Sequence, residues 1–144
     1  MAKPEPWRMD IASYPFVHST ETRFADLDML GHINNVAMAG LFEHGRGLFT
    51  HSIGLPNFAK DHRWLIVRVE INYLAESYFP EHVQIASGIY RVGTSSWEVA
   101  SAAFQGGNCV ATCSTTTVLT GKAGASPISE GLREALERLR VKSN

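Results

Sequence analysis

The segment from Arg23 to Arg46 reads RFADLDMLGHINNVAMAGLFEHGR. Within it, the ten residues Asp26 to Asn35 hold two carboxylates, a histidine and two asparagines. They stand between a strand-like stretch and an amphipathic, helix-like stretch. Polar groups buried at such a junction need hydrogen-bond partners. The segment therefore builds a turn-and-cap network, a reactive site, or both.

Upstream, residues 16–26 suit a strand, with Phe16, His18, Thr20, Thr22 and Phe24 alternating against the rest. A turn over Asp28 to His32 follows. Asn34 or Asn35 then caps a helix by accepting a hydrogen bond from an early backbone N–H. The helix is predicted to run to about Ser52, where Gly54-Leu55-Pro56 ends it. Met38, Leu41, Phe42, Gly45, Leu48 and Phe49 fall on one face at helical spacing. Gly40, Gly45 and Gly47 each cost up to about 1 kcal/mol in a helix interior. Close approach of another backbone, such as a sheet wrapped around the helix, would compensate. A second face carries Val36, Gly40, Glu43 and Gly47, which suits tight packing rather than open water.

Downstream of Trp64 the period changes to two. Val67, Val69, Ile71 and Tyr73 alternate with Arg68, Glu70 and Asn72. Further strands are predicted at Val83–Val92, Ser96–Gln105 and 109–119, separated by turn signals such as Gly106-Gly107-Asn108. Residues 121–127 read as a linker. A short helix then starts at Ser126-Pro127 or Ser129, with Leu132, Ala135, Leu136 and Leu139 on one face.

The class is α+β: a five-stranded antiparallel sheet curled around one long central helix, plus a short C-terminal helix. Residues 1–15 form an irregular arm and residues 16–144 a single domain. Sheet edge or outer surface left over would be buried by another subunit, giving a dimer or tetramer.

Composition fits one soluble globular domain, with 44% hydrophobic and 19% charged residues over 144. The net charge of −1 offers no general attraction to nucleic acid or anionic membrane. No apolar run is long enough to span a bilayer, and the N-terminal MAKPEPWRMD lacks a signal peptide's apolar stretch. Cys109 and Cys113, on one extended strand, would stand about 13 Å apart, too far for a disulfide. Free thiols in an untargeted chain suggest the cytoplasm.

The element order, joined to Asp-Leu-Asp-Met-Leu-Gly-His-Ile-Asn-Asn and then Glu43-His44-Gly45-Arg46, resembles the hot-dog-fold thioesterases. It looks most like the 4-hydroxybenzoyl-CoA thioesterase group and its acyl-CoA relatives, over about residues 16–119. The resemblance implies an acyl-CoA thioesterase that needs no cofactor and no metal. It makes the second aspartate, Asp28, the catalytic carboxylate, acting as nucleophile or as general base toward water. The backbone N–H near Asn35 would polarise the thioester oxygen. His32, Glu43 and Asn34 become supporting candidates. His32 matches a histidine of plant acyl-carrier-protein thioesterases, but Leu30 stands where those enzymes carry a further Asn. Met38 stands where many relatives have a Tyr that shapes the acyl pocket. Arg68, with Lys60, Arg63 and Arg91, is a candidate for the CoA phosphates.

Each residue also has a plainer reading. An Asp before a glycine-containing turn is commonly satisfied by backbone N–H groups. Glu43 and Arg46 are spaced as an ordinary i,i+3 pair. Other scaffold-sharing functions stay open: a carrier-protein thioesterase, another hot-dog enzyme, or a non-catalytic acyl-CoA binder. No His/Cys cluster has metal-ligand spacing and no phosphate-cradling glycine loop is present.

Overall fold

The computed structural model describes residues 3–143. The first two residues of the expected arm and the last residue of the domain lie outside the described residues. The strands are β1 (Phe16–Thr20), β2 (Arg63–Tyr73), β3 (Val83–Val92), β4 (Ser96–Gln105), β5 (Asn108–Gly121) and the two-residue β6 (Gly124–Ala125). The helices are α1 (Asn35–Ile53), α2 (Leu55–Phe58) and α3 (Glu130–Glu137). The main sheet is antiparallel in the order β1-β3-β4-β5-β2, with β6 hairpinned onto β5. This is the expected α+β architecture, a curled sheet holding one long helix.

Asn34 is the cap of α1, and Gly54 closes the helix in the left-handed region at φ 74°. The buried stripe Met38, Phe42, Gly45, Phe49 and Ile53 faces the sheet. Gly45 is where helix and sheet meet most closely. A Cβ built there would lie 2.4 Å from Cγ2 of Ile85 on β3. Close approach thus accounts for Gly45, though the neighbour is a side chain rather than backbone. Gly40 and Gly47 have nothing within 4 Å.

The first strand is shorter than expected, stopping at Thr20. β3 begins at Val83, opposite Thr20, so no partner exists further on. The chain instead turns at Phe24–Asp26, where Asp26 captures Arg23. The expected linker forms the β5–β6 hairpin, and Ser129 caps α3 through the Leu132 N–H. α2, not expected, sits within the turn that ends α1.

The outer face of the sheet is partly covered by the chain itself. Residues 3–15 carry two 3-10 turns, Pro6–Met9 and Ile11–Ser13. They bury Trp7 and Tyr14 against Ala86, Ala100, Ala102 and Phe104. Arg8 lies 4.5 Å from the Trp7 ring centroid and 4.8 Å from that of Tyr90. The two edges of the sheet differ. Beyond Phe16, where Pro15 ends β1, the C-terminal tail takes over: Ile89 donates to Leu139 and accepts from Val141. At the other edge, β2 leaves Leu65, Ile66, Val67 and Val69 more than two-fifths exposed. Cys109 and Cys113 are free thiols on β5. Burial pushes the Cys109 thiol up to about 11 and raises that of Cys113. Among the described residues no helix is long and apolar enough to cross a membrane.

Candidate functional site

Two aspartates bracket the approach to α1. Asp26 is buried, and its Oδ2 accepts the Arg23 backbone N–H at 2.9 Å while Oδ1 meets the Arg23 guanidinium at 2.9 Å. Burial pushes its pKa up, but the Arg23 hydrogen bonds and charge outweigh that and leave it below the usual value. Its carbonyl accepts the N–H of Asn34 at 2.8 Å. Asp26 therefore ties the preceding turn to the helix start.

Asp28 is arranged otherwise. Its Oδ1 accepts N–H bonds from Leu30 at 2.8 Å and His32 at 3.1 Å. Gly31, at φ 81°, supplies the left-handed residue that closes this turn. The His32 N–H holds the carboxyl below its usual range, against slight desolvation and with help from Leu30. Among the described residues no protein donor reaches Oδ2. Oδ1 fixes the loop, and Oδ2 shares the carboxylate charge without a protein hydrogen bond.

The helix start supplies the opposite charge. Asn34 Oδ1 accepts the Ala37 N–H at 2.7 Å, and its carbonyl accepts from Met38. The N–H groups of Asn35 and Val36 then have no protein acceptor among the described residues. They form the positive end of a 19-residue helix. From β2, the Tyr73 hydroxyl donates to the Asn35 carbonyl at 2.9 Å.

His32 reaches across rather than toward the helix. Its Nε2 lies 3.2 Å from Glu76 Oε2, which also accepts the Tyr78 hydroxyl at 3.2 Å. The ring thus bridges the Asp28 turn to the loop between β2 and β3.

Asp28 and Asn35 stand where two clefts meet. The larger, about 940 Å³, runs between α1 and the chain following β1, past Thr20, Glu21, Arg23, Gly40 and His44. The smaller, about 280 Å³, is walled by Ile33, Met38, Tyr73, Leu74 and Val110, with His32 and Glu76 at its rim. Asn34 lines the larger cleft and Met38 the smaller.

The remaining candidates lie elsewhere in the chain. Glu43 is eight residues past Asn35, about 12 Å along the helix, and lines a separate cleft with Arg46, Trp64 and Trp97. It makes no pair with Arg46, which donates to Thr115 Oγ1 at 3.2 Å. Arg68 pairs with Glu70 and shares another cleft with Arg91, apart from Asp28. Sequence reasoning missed Tyr73 and Glu76 as parts of the site. Tyr73 carried a signal only as a strand residue, and its reach to the helix start depends on the β2–β5 pairing.

A family model for the thioesterase-like superfamily matches residues 22–136. No curated protein matches the chain. Among solved structures, the PA5185 protein of Pseudomonas aeruginosa strain PAO1 is 24% identical with a TM-score of 0.80, over 94% of this chain and 99% of that one. A predicted thioesterase from Bacillus stearothermophilus is 26% identical with a TM-score of 0.80, over 90% and 98%. A thioesterase from Thermus thermophilus, complexed with coenzyme A and Zn, is 23% identical with a TM-score of 0.77, over 88% and 94%. The family model spans most of the chain, and the curled sheet with its central helix is the hot-dog fold of these structures: the chain belongs to the thioesterase-like superfamily.

Proposed function

We propose that this protein hydrolyses an acyl-CoA thioester to a free acid and CoA. One observation carries the reading: an ionised carboxylate with a free oxygen, Asp28, stands at the junction of two clefts beside two unpartnered helix N–H groups. Membership of the thioesterase-like superfamily and the CoA held by the Thermus relative support it.

The chemistry follows from those groups. Water, or Asp28 Oδ2 itself, adds to the thioester carbonyl carbon. The carbonyl oxygen takes up negative charge against the N–H groups of Asn35 and Val36. When Asp28 acts as base it accepts the water proton; collapse of the adduct breaks the C–S bond, and the departing thiolate takes a proton to leave as thiol. When Asp28 is the nucleophile, a mixed anhydride forms first and water then cleaves it to the same two products.

The exposed apolar edge of β2 supports a second copy as partner, joined strand to strand. Gly40 and Gly47, with open space above them, leave room for that copy's helix. In this assembly Glu43 and Arg68 serve from the interface, Glu43 toward the reacting groups and Arg68 toward the CoA phosphates. The turn bonds of Asp28 Oδ1 favour one rival, a non-catalytic acyl-CoA binder in which Asp28 only shapes the loop.

Free-thiol release from short, long and aromatic acyl-CoAs, with wild type beside Asp28→Asn, decides between them. Turnover by wild type alone is expected. Binding without turnover would transfer the protein to the rival reading.

A further inference from the structure

The two clefts at Asp28 are unequal in size and in chemistry, and a thioester has two unequal arms. We infer that the acyl group occupies the smaller cleft and the thiol arm the larger, so that the substrate carries a compact acyl group rather than a long alkyl chain. This rests on the acyl-CoA reading of the site and adds the acyl class to it.

The smaller cleft is closed below by the core and opens at its rim toward polar groups. Its floor is the core itself: Ile33, Met38 and Val110 are each at most 7% exposed and pack in one cluster with Phe42. Beyond its rim, past Ala75 and Glu76, lies a neighbouring cleft lined by Glu76, Glu81, Gln105 and Asn108. An alkyl chain leaving the apolar floor in that direction would desolvate carboxylates and amides without offering them a hydrogen bond. At about 30 Å³ for each water-sized group, 280 Å³ holds on the order of nine heavy atoms. That admits a short aliphatic or a single-ring aromatic acyl group.

The larger cleft suits the other arm. It is three times the volume, 940 Å³ against 280 Å³, and presents Thr20, Glu21, Arg23, Asn34 and His44 along its length. The thiol arm of CoA is an extended chain with two amides, whose N–H and C=O groups need such partners. With the carbonyl at Asn35, reversing the substrate would place those amides on Met38 and Val110 and leave them unsatisfied.

The test measures binding as well as turnover, using non-hydrolysable thioether analogues of saturated acyl-CoAs from two to sixteen carbons. Titration calorimetry on the wild-type protein reads the dissociation constants. Affinity should rise by about fourfold per methylene while the cleft fills, peak at or below about eight carbons, and fall at least about tenfold by sixteen. Affinity that keeps rising to sixteen carbons, shows no dependence on length, or is undetectable throughout overturns the inference. A peak at short length in a protein that hydrolyses none of the parent thioesters would retain the inference and reject the catalytic reading. Met38→Ala removes part of the floor and should move the peak toward longer chains. Tyr73→Leu, away from the core floor, serves as a second variant should Met38→Ala fail to fold. It opens the wall and should move the peak the same way; an unmoved peak in the variant that folds also counts against the inference.

Discussion

Asp26 and Asp28 are two residues apart in one loop, and the fold uses them in opposite ways. Asp26 is 3% exposed, with both oxygens occupied by its own neighbour Arg23. Asp28 is exposed, with one oxygen committed to a turn and one uncommitted. Both carboxyls lie below the usual pKa, so acidity does not tell them apart. What separates them is whether a hydrogen-bonding site remains over once local structure has been satisfied. A carboxylate with both oxygens engaged holds the chain; one with a vacant oxygen beside a helix start has an acceptor to spare, as the proposed reaction requires.

The sharpest way to break this contrast is to neutralise each residue in turn. Asn at 28 keeps an oxygen for the Leu30 and His32 N–H groups, so Asp28→Asn should lower kcat by about 10²–10⁴-fold. Its unfolding midpoint should stay near that of wild type. A loss of only a few-fold would reduce Asp28 to a turn residue. Asp26→Ala should do the reverse, costing about 1–2 kcal/mol of stability, as the loss of a capping side chain does. Urea unfolding measures that cost, and activity per folded molecule should remain within a few-fold of wild type.

A smaller effect is expected at the helix start itself. The peptide unit whose carbonyl accepts the Tyr73 hydroxyl also carries the Val36 N–H. Tyr73→Phe removes a bond worth about 1 kcal/mol, and should lower kcat by about fivefold with KM little changed, because the oxyanion forms only in the transition state. An equal rise in KM with kcat intact would assign Tyr73 to substrate binding instead.

The smallest effect is in the pH response. Both aspartates have folded-state pKa values below their unfolded ones, so each stabilises the fold above the unfolded value near about 3.9. That contribution disappears as pH falls through the folded values. Acid titration of the unfolding midpoint should therefore turn downward below about pH 4, with a shallower slope in Asp26→Asn. Hydrolysis in the same range should lose its rate as Asp28 protonates.

The contrast between the aspartates was partly legible in the sequence. The Asp-Leu-Asp-Met-Leu-Gly run announced a turn, and the paired asparagines a helix cap, because these rest on local hydrogen bonds. The strand periods and the resemblance also gave the curled sheet around α1. The early end of β1 was not visible, since Thr22 and Phe24 continue its alternation; only the start of β3 at Val83 stops it. Nor were the links from Tyr73 to Asn35 and from Glu76 to His32, which join residues 38 and 44 positions apart through sheet register. Helical spacing did set Gly45 on the apolar face and Gly40 and Gly47 on another, and only Gly45 lies against the sheet; the tight packing expected around the other two is absent from the described residues of this chain.

The missing Cβ at that glycine makes α1 a lever. The helix rests on Ile85 at Gly45, ten residues and about 15 Å from its first turn. An added methyl group there would displace a rod rather than fill a hole, and the far end would swing. The placement of Asn35 relative to Asp28 thus depends on this distant contact as well as on the Asp26 and Tyr73 hydrogen bonds at the helix start. Screens for altered activity should find their distant hits along this pivot, where a small change in volume becomes a change in aim.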